Sequence, residues 1–121
     1  MKTVIFRVVI DLGDKIGTDI DIELTDGEYE QLLSVKNFPE NEQYTKLEDI
    51  LDKVREATID REVKYIREDP SLIENYIHDA EDLEQLQEQG YRNFVDCLDD
   101  AALTDLVESY ASFDVKIPEL D

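Results

Sequence analysis

Few side chains in this chain, apart from its carboxylates, suit catalysis or metal binding. Cys97 is the one cysteine and His78 the one histidine, and tryptophan is absent. A single cysteine excludes an intramolecular disulfide and a multi-cysteine zinc site. A single histidine excludes the metal motifs that need two histidines on one helix. Among the metals, only an oxygen-ligated cation is left to consider.

Glycine is scarce too, and long apolar runs are missing. The four glycines, at positions 13, 17, 27 and 90, form neither a P-loop nor a dinucleotide-binding pattern. No stretch approaches the roughly 20 apolar residues of a membrane span. The apolar run after Met1 is interrupted by Arg7 and is too short for a signal peptide. We therefore expect a cytoplasmic protein without a cofactor.

Acidic residues are abundant. The 121 residues include 32 acids and 12 bases, so the net charge is −20. Such a charge repels nucleic acids and anionic membranes, which makes direct binding to either improbable. The 41% hydrophobic content is nevertheless that of a folded protein rather than a disordered acidic tail. The length predicts a single domain over residues 1–121.

The negative charge is concentrated in one part of the chain. Residues 44–67 have six bases and six acids, whereas residues 68–114 have fourteen acids and one base, Arg92. The second segment therefore has a net charge of −13. A surface of one sign selects partners of the opposite sign, so this segment is the main functional clue.

Apolar periodicity predicts an α+β fold. Val4, Phe6, Val8 and Ile10 alternate as in a strand, and a second strand runs over residues 18–24. We predict an N-terminal β-hairpin with a loop over residues 13–17. A third strand from the C-terminus, around Val115, is an open alternative. The first strand keeps Ile5 and Val9 on its second face, which favours a central position.

Four to five helices are predicted to pack with the hairpin. They cover residues 26–36, 46–68 and 71–90, followed by two short helices divided at Asp99 as a new N-cap. Three segments fit the capping box: Thr25 to Glu28, Thr45 to Glu48 and Ser71 to Glu74. Gly90 is predicted to end the third helix.

Catalytic and metal sites find little support. The acids around the hairpin turn, starting at Asp11, lack the glycine and glutamate that an EF-hand loop requires at its sixth and twelfth positions. Cys97 and His78 would form the one nucleophile–base pair. An antiparallel arrangement about Gly90 offsets that pair by about 7 Å along the helix axis, which is too far for a hydrogen bond. We expect no enzyme activity and no metal site.

The acidic helices are the remaining candidate site. Carboxylates three or four residues apart on a helix lie about 5–6 Å apart, comparable to the spacing of phosphates along one DNA strand. Such an array can imitate a nucleic-acid backbone, although a merely solvated acidic surface would have the same composition. The predicted partner-binding residues are Glu74, Asp79, Glu81, Asp82, Glu84, Glu88, Asp96, Asp99 and Asp100.

Two functional hypotheses follow. The first is a small non-enzymatic binding protein whose acidic helices engage a basic partner. Its sharpest form is a nucleic-acid-mimicking inhibitor of the antirestriction, anti-CRISPR or immunity type. The alternative is a structural or assembly subunit that self-associates through its β-hairpin. The sequence leaves the partner's identity and the oligomeric state open.

Overall fold

The structure, a computed structural model, describes residues 1–77 and 79–119. Its fold is α+β, as predicted, with a three-stranded antiparallel sheet. Helices are more numerous than expected, because the described residues contain six α-helices and one 3₁₀ helix. In chain order the elements are β1 (Lys2–Asp11), β2 (Lys15–Leu24), α1 (Asp26–Ser34), α2 (Glu40–Lys46), α3 (Glu48–Glu68), the 3₁₀ helix (Pro70–Asn75), α4 (Ala80–Gln89), α5 (Tyr91–Asp96), α6 (Asp100–Tyr110) and β3 (Ser112–Lys116).

The sheet has the order β2-β1-β3. The predicted third strand exists, and β1 is the central strand, as its composition indicated. Val4, Phe6 and Val8 are buried on one face of β1, whereas Ile5 on the other face is 60% exposed. The central position of β1 therefore comes from hydrogen bonding to a strand on each side, while its second face stays exposed at Ile5.

The hairpin turn is tighter than predicted. β2 begins at Lys15 instead of Thr18, so residues 12–14 form the connection. Gly13 has a φ of 104°, which glycine adopts without the steric cost of a Cβ. Its main-chain N–H donates to the carboxylate of Asp11 at 3.0 Å. This hydrogen bond stabilises a three-residue turn. The five-residue loop predicted from Gly13 and Gly17 is not formed.

Of the three predicted capping boxes, one is present. Thr25 accepts a hydrogen bond from Glu28 N, and Glu28 Oε1 accepts one from Thr25 N, so α1 begins as predicted. Thr45 instead lies inside α2, a helix that the sequence analysis missed, and its hydroxyl donates to the carbonyl of Asn41. Threonine can bond to a carbonyl four residues earlier within a helix, which removes it from a capping role.

The third predicted box and the predicted helix over residues 71–90 are wrong. Asp69 caps the 3₁₀ helix, accepting from Ser71 N at 3.3 Å, and Pro70 at its first position suits a helix start. The chain then leaves helical structure, and α4 starts after Asp79. Tyr76, which lies between the two helices, donates from its hydroxyl to Glu62 of α3 at 3.2 Å. This tertiary contact holds a segment that local periodicity alone would continue as a helix.

Two helix boundaries are as predicted. Gly90 ends α4 with a φ of 82°. Asp99 separates α5 from α6, and its carboxylate accepts from Ala102 N at 2.7 Å. Both residue types satisfy main-chain groups that a helix end leaves without partners.

The chain divides into two compact units. Unit 1 comprises residues 1–9, 16–58 and 113–121, and unit 2 comprises residues 10–15 and 59–112. In unit 1, β1 and α3 contribute buried residues such as Phe6, Ile50 and Val54, and in unit 2 α3 and α6 contribute residues such as Ile66 and Leu103. The prediction of a single domain stays a prediction. Within the described residues, no helix is both long enough and apolar enough to cross a lipid bilayer.

Candidate acidic interface

α4 has an exposed acidic side, which we call the acidic row and define as Glu81, Glu84 and Glu88. These residues are spaced by three and four positions, so they lie along one side of the helix. All three are exposed, while Leu86 on the opposite side is buried. Within residues 1–77 and 79–119, none of the three carboxylates has a hydrogen bond or an ion pair. The acidic row is therefore a strip of charge without a counter-ion in the described structure.

Two predicted site residues act as helix caps. The carboxylate of Asp79 accepts from Glu81 N at 2.8 Å, and that of Asp99 caps α6 as described above. Both residues are exposed, so each still contributes negative charge to the surface. Their residue type is explained by capping, which stabilises a helix by about 1 kcal/mol.

Asp82 is half-buried, because it lies at the border of the side of α4 that faces the protein. The hydroxyl of Tyr110 in α6 donates a hydrogen bond to Asp82 Oδ2. This bond is the main cause that raises the pKa of Tyr110 to about 12, since ionising the phenol would place two negative charges together. Asp82 thus links α4 to α6.

Glu74 belongs to the 3₁₀ helix rather than to α4, which separates it from the acidic row. The interaction with its carboxylate raises the pKa of the Tyr91 phenol in α5. α5 packs against both the 3₁₀ helix and α4. Glu74 is therefore close to α5 at the surface.

Asp100 forms an ion pair with Arg67 of α3, with Oδ1 and Nη2 3.0 Å apart. The same guanidinium donates to the carbonyls of Val95 at 2.9 Å and Leu98 at 2.6 Å. Val95 lies in the last turn of α5 and Leu98 lies just after the helix, a region where a helix leaves main-chain acceptors to be satisfied by other groups. The sequence analysis did not identify the role of Arg67, because the charge pattern within α3 does not indicate a contact with residues about thirty positions later.

Asp96 is the last residue of α5 and is exposed. Within the described residues its carboxylate has no hydrogen bond or ion pair. The nine predicted residues therefore fall into two groups. Asp79, Asp82, Asp99, Asp100 and Glu74 have structural contacts, whereas the acidic row and Asp96 have none in the described structure.

The other candidate sites gain no support from the described residues. Cys97 is exposed at the end of α5, and its predicted partner His78 lies outside the described residues. Among the described residues no group of histidine, cysteine or acidic side chains is arranged to hold a metal ion. A cleft of about 460 Å³ lies in unit 1 beside Lys36, Gln43 and Tyr44, and its lining includes none of the nine predicted residues.

Comparison of the chain with protein-family models, with curated proteins and with solved structures finds no match.

Proposed function

We propose that this protein is a non-enzymatic binding protein that uses the acidic row of α4, together with Asp96 at the end of α5, to engage a basic partner. The observation that carries the proposal is the placement of Glu88 and Asp96 near the C-terminal ends of their helices. The last turns of α4 and α5 contain no base.

A carboxylate at a helix C-terminus is unfavourable, because it lies beside the negative end of the helix dipole, at a cost of about 0.3–1 kcal/mol. Neither Glu88 nor Asp96 has a compensating ion pair among the described residues. The neighbouring carboxylates of the acidic row add like-charge repulsion at three- and four-residue spacing. Glu88 and Asp96 therefore do not serve the stability of their own helices, which favours a role in binding, whereas Glu81 lies in the first turn of α4, where a carboxylate is favourable.

The sharpest form of the proposal is a nucleic-acid mimic. The acidic row holds three carboxylates at regular spacing on one rigid helix, like successive phosphates of a strand. A basic groove that binds nucleic acid would accept such a row and be blocked by it. The protein would then act as an inhibitor of the antirestriction, anti-CRISPR or immunity type.

The test begins with affinity capture from the native cell extract at low and high salt, followed by quantitative binding to the protein captured. We expect saturable binding to a basic, nucleic-acid-handling protein, weakening steeply as salt is raised. A mimic must also compete with DNA or RNA for that partner. Binding without such competition would support an acidic interface and reject mimicry.

Two triple variants change the net charge by the same amount, one in the acidic row and the other at exposed glutamates elsewhere in the chain. The triple variant Glu81→Lys, Glu84→Lys and Glu88→Lys reverses the acidic row, and leaves Asp82 intact because it holds Tyr110. The control reverses Glu30, Glu42 and Glu56, which are exposed and lie in α1, α2 and α3. We expect the first variant to lose binding and the control to retain most of it. Equal losses would mean that bulk charge attracts the partner, and the proposed interface would be rejected.

Self-association through the hairpin is the second candidate, favoured by the open outer edge of β2. However, joining two β2 strands so that the buried face continues brings Asp19, Asp21 and Glu23 of both copies onto one face. Like charges across strands are destabilising. Sedimentation at several concentrations tests the candidate: a concentration-dependent dimer would support it, and a strict monomer would exclude it.

A further inference from the structure

β2 is an edge strand whose outer side has no neighbouring strand in the described sheet. It is ten residues long, equal to the central strand β1. Natural edge strands are commonly protected by charged side chains, especially lysine, by proline or by short length. β2 has no proline and has one lysine, Lys15 at its first position, but Asp19, Asp21 and Glu23 follow on one face. These charges disfavour an added strand of the same sign, whereas a strand of opposite sign can still pair with the edge by main-chain hydrogen bonding.

One face of β2 restricts the charge of an added strand, because it carries Asp19, Asp21 and Glu23. All three carboxylates are exposed and recur at every second residue. Asp19 is paired with Arg7 of β1 at 3.2 Å, whereas Asp21 and Glu23 have no side-chain partner among the described residues. Opposite charges directly across two strands are favourable. An added strand should therefore present lysine or arginine on this face.

The opposite face of β2 offers apolar contact. Ile22 is buried, Ile20 is half-buried, and Ile16 is 52% exposed. Because side chains alternate along a strand, residues between the bases of an added strand would face Ile16 and Ile20. The two faces together select a segment in which basic and apolar residues alternate.

One main-chain acceptor of β2 is already bound by a cationic side chain. Lys53 Nζ donates to the carbonyl of Glu23 at 2.8 Å and to Glu28 Oε1 at 3.1 Å. This contact occupies the end of the strand nearest to α1. The proposed site is therefore residues 16–22, the part of β2 that precedes this contact.

We propose that the outer edge of β2 binds an extended segment of alternating basic and apolar residues, supplied by a partner protein, as a fourth strand of the sheet. This site shares no residue with the acidic row, and it does not depend on the function proposed above. The charge that favours such a segment disfavours a second copy of this chain.

The test uses a short synthetic peptide that alternates lysine and valine, and the full-length protein labelled with ¹⁵N. At physiological salt we expect saturable binding, with the amide resonances of residues 16–22 changing most. The same peptide with N-methylated backbone nitrogens keeps its charge but cannot donate main-chain hydrogen bonds, and should not bind. Equal binding of both peptides would overturn the proposal, as would resonance changes confined to α4 and α5.

Two variants that change the net charge by the same amount distinguish binding at β2 from general attraction to an acidic protein. Asp21→Lys places a base on the proposed face and should weaken peptide binding about fivefold or more. Glu108→Lys changes an exposed acid of α6 and should leave the affinity nearly unchanged. Asp21→Asn provides a milder test if the reversed residue disturbs the hairpin, and should weaken binding less than Asp21→Lys. Equal weakening by Asp21→Lys and Glu108→Lys would overturn the proposal.

Discussion

Tyr110 and Asp82 join the two longest helices of the acidic segment through one hydrogen bond, in which the phenol of α6 donates to the carboxylate of α4. The bond gives a structural role to a carboxylate that the sequence analysis assigned to partner binding. It also holds α4, and with it the acidic row, against α6. The orientation of the candidate interface therefore depends on a residue outside it.

Replacing Tyr110 with phenylalanine removes this hydrogen bond while keeping the ring. Hydrogen bonds to charged groups are worth about 1.5–3 kcal/mol when shielded, and partial exposure reduces this to roughly 1 kcal/mol. We expect a lower urea midpoint at neutral pH. The control, Tyr91→Phe, removes a phenol that interacts with the exposed Glu74 and should cost less. A larger loss from Tyr91→Phe would contradict this ranking.

The same contact makes stability fall in alkaline solution. The pKa of Tyr110 is raised to about 12 in the folded protein, against about 10 in the unfolded chain. The folded state therefore binds more protons between pH 10 and 12, so the free energy of unfolding decreases across that window. Urea unfolding at several pH values should show this slope. Burial and Glu62 also raise the pKa of Tyr76, so the Tyr110→Phe variant should keep part of the slope, and an unchanged slope would refute the assignment to Tyr110.

The two threonines at predicted capping boxes should respond differently to replacement by alanine. Thr25→Ala removes a real cap and should cost about 1 kcal/mol. Thr45→Ala removes a hydroxyl that bonds within α2 and should be nearly neutral, because such bonds slightly disfavour a helix. Thermal or urea unfolding of both variants measures the difference. Equal losses of stability would contradict the assignment of a capping role to Thr25 alone.

Arg67→Met should destabilise unit 2. It keeps an unbranched side chain but removes the donor to the Leu98 carbonyl and one of the donors to the Val95 carbonyl, which still accepts from Leu98 N. The expected cost is about 2 kcal/mol. Arg92→Met is the matched control, since Arg92 is exposed and has no side-chain partner among the described residues. Unfolding by urea should show a loss for Arg67→Met alone. A comparable loss for Arg92→Met would indicate that positive charge in this acidic unit matters more than the cap.

Much of the fold could be predicted from local patterns. The alternation of β1, the capping box at Thr25, and the helix ends at Gly90 and Asp99 depend on residues close in sequence. The helix over 71–90 could not be predicted correctly, because Ser71 and Glu74 imitate a capping box. Asp79 offers a competing cap, and Tyr76 is held by Glu62 of another helix. The short helix α2 was missed because its apolar periodicity is weak.

The sequence by itself determined the sign and the location of the excess charge, since both depend on composition alone. It also determined the α+β class, because strand and helix periods are local properties. Only the tertiary structure decided which carboxylates remain available. Arg67, Tyr91 and Tyr110 engage Asp100, Glu74 and Asp82 across separations of seventeen residues or more in the chain, which no local pattern encodes. Glu81, Glu84, Glu88 and Asp96 have no side-chain partner in the described structure, because no described side chain reaches their carboxylates.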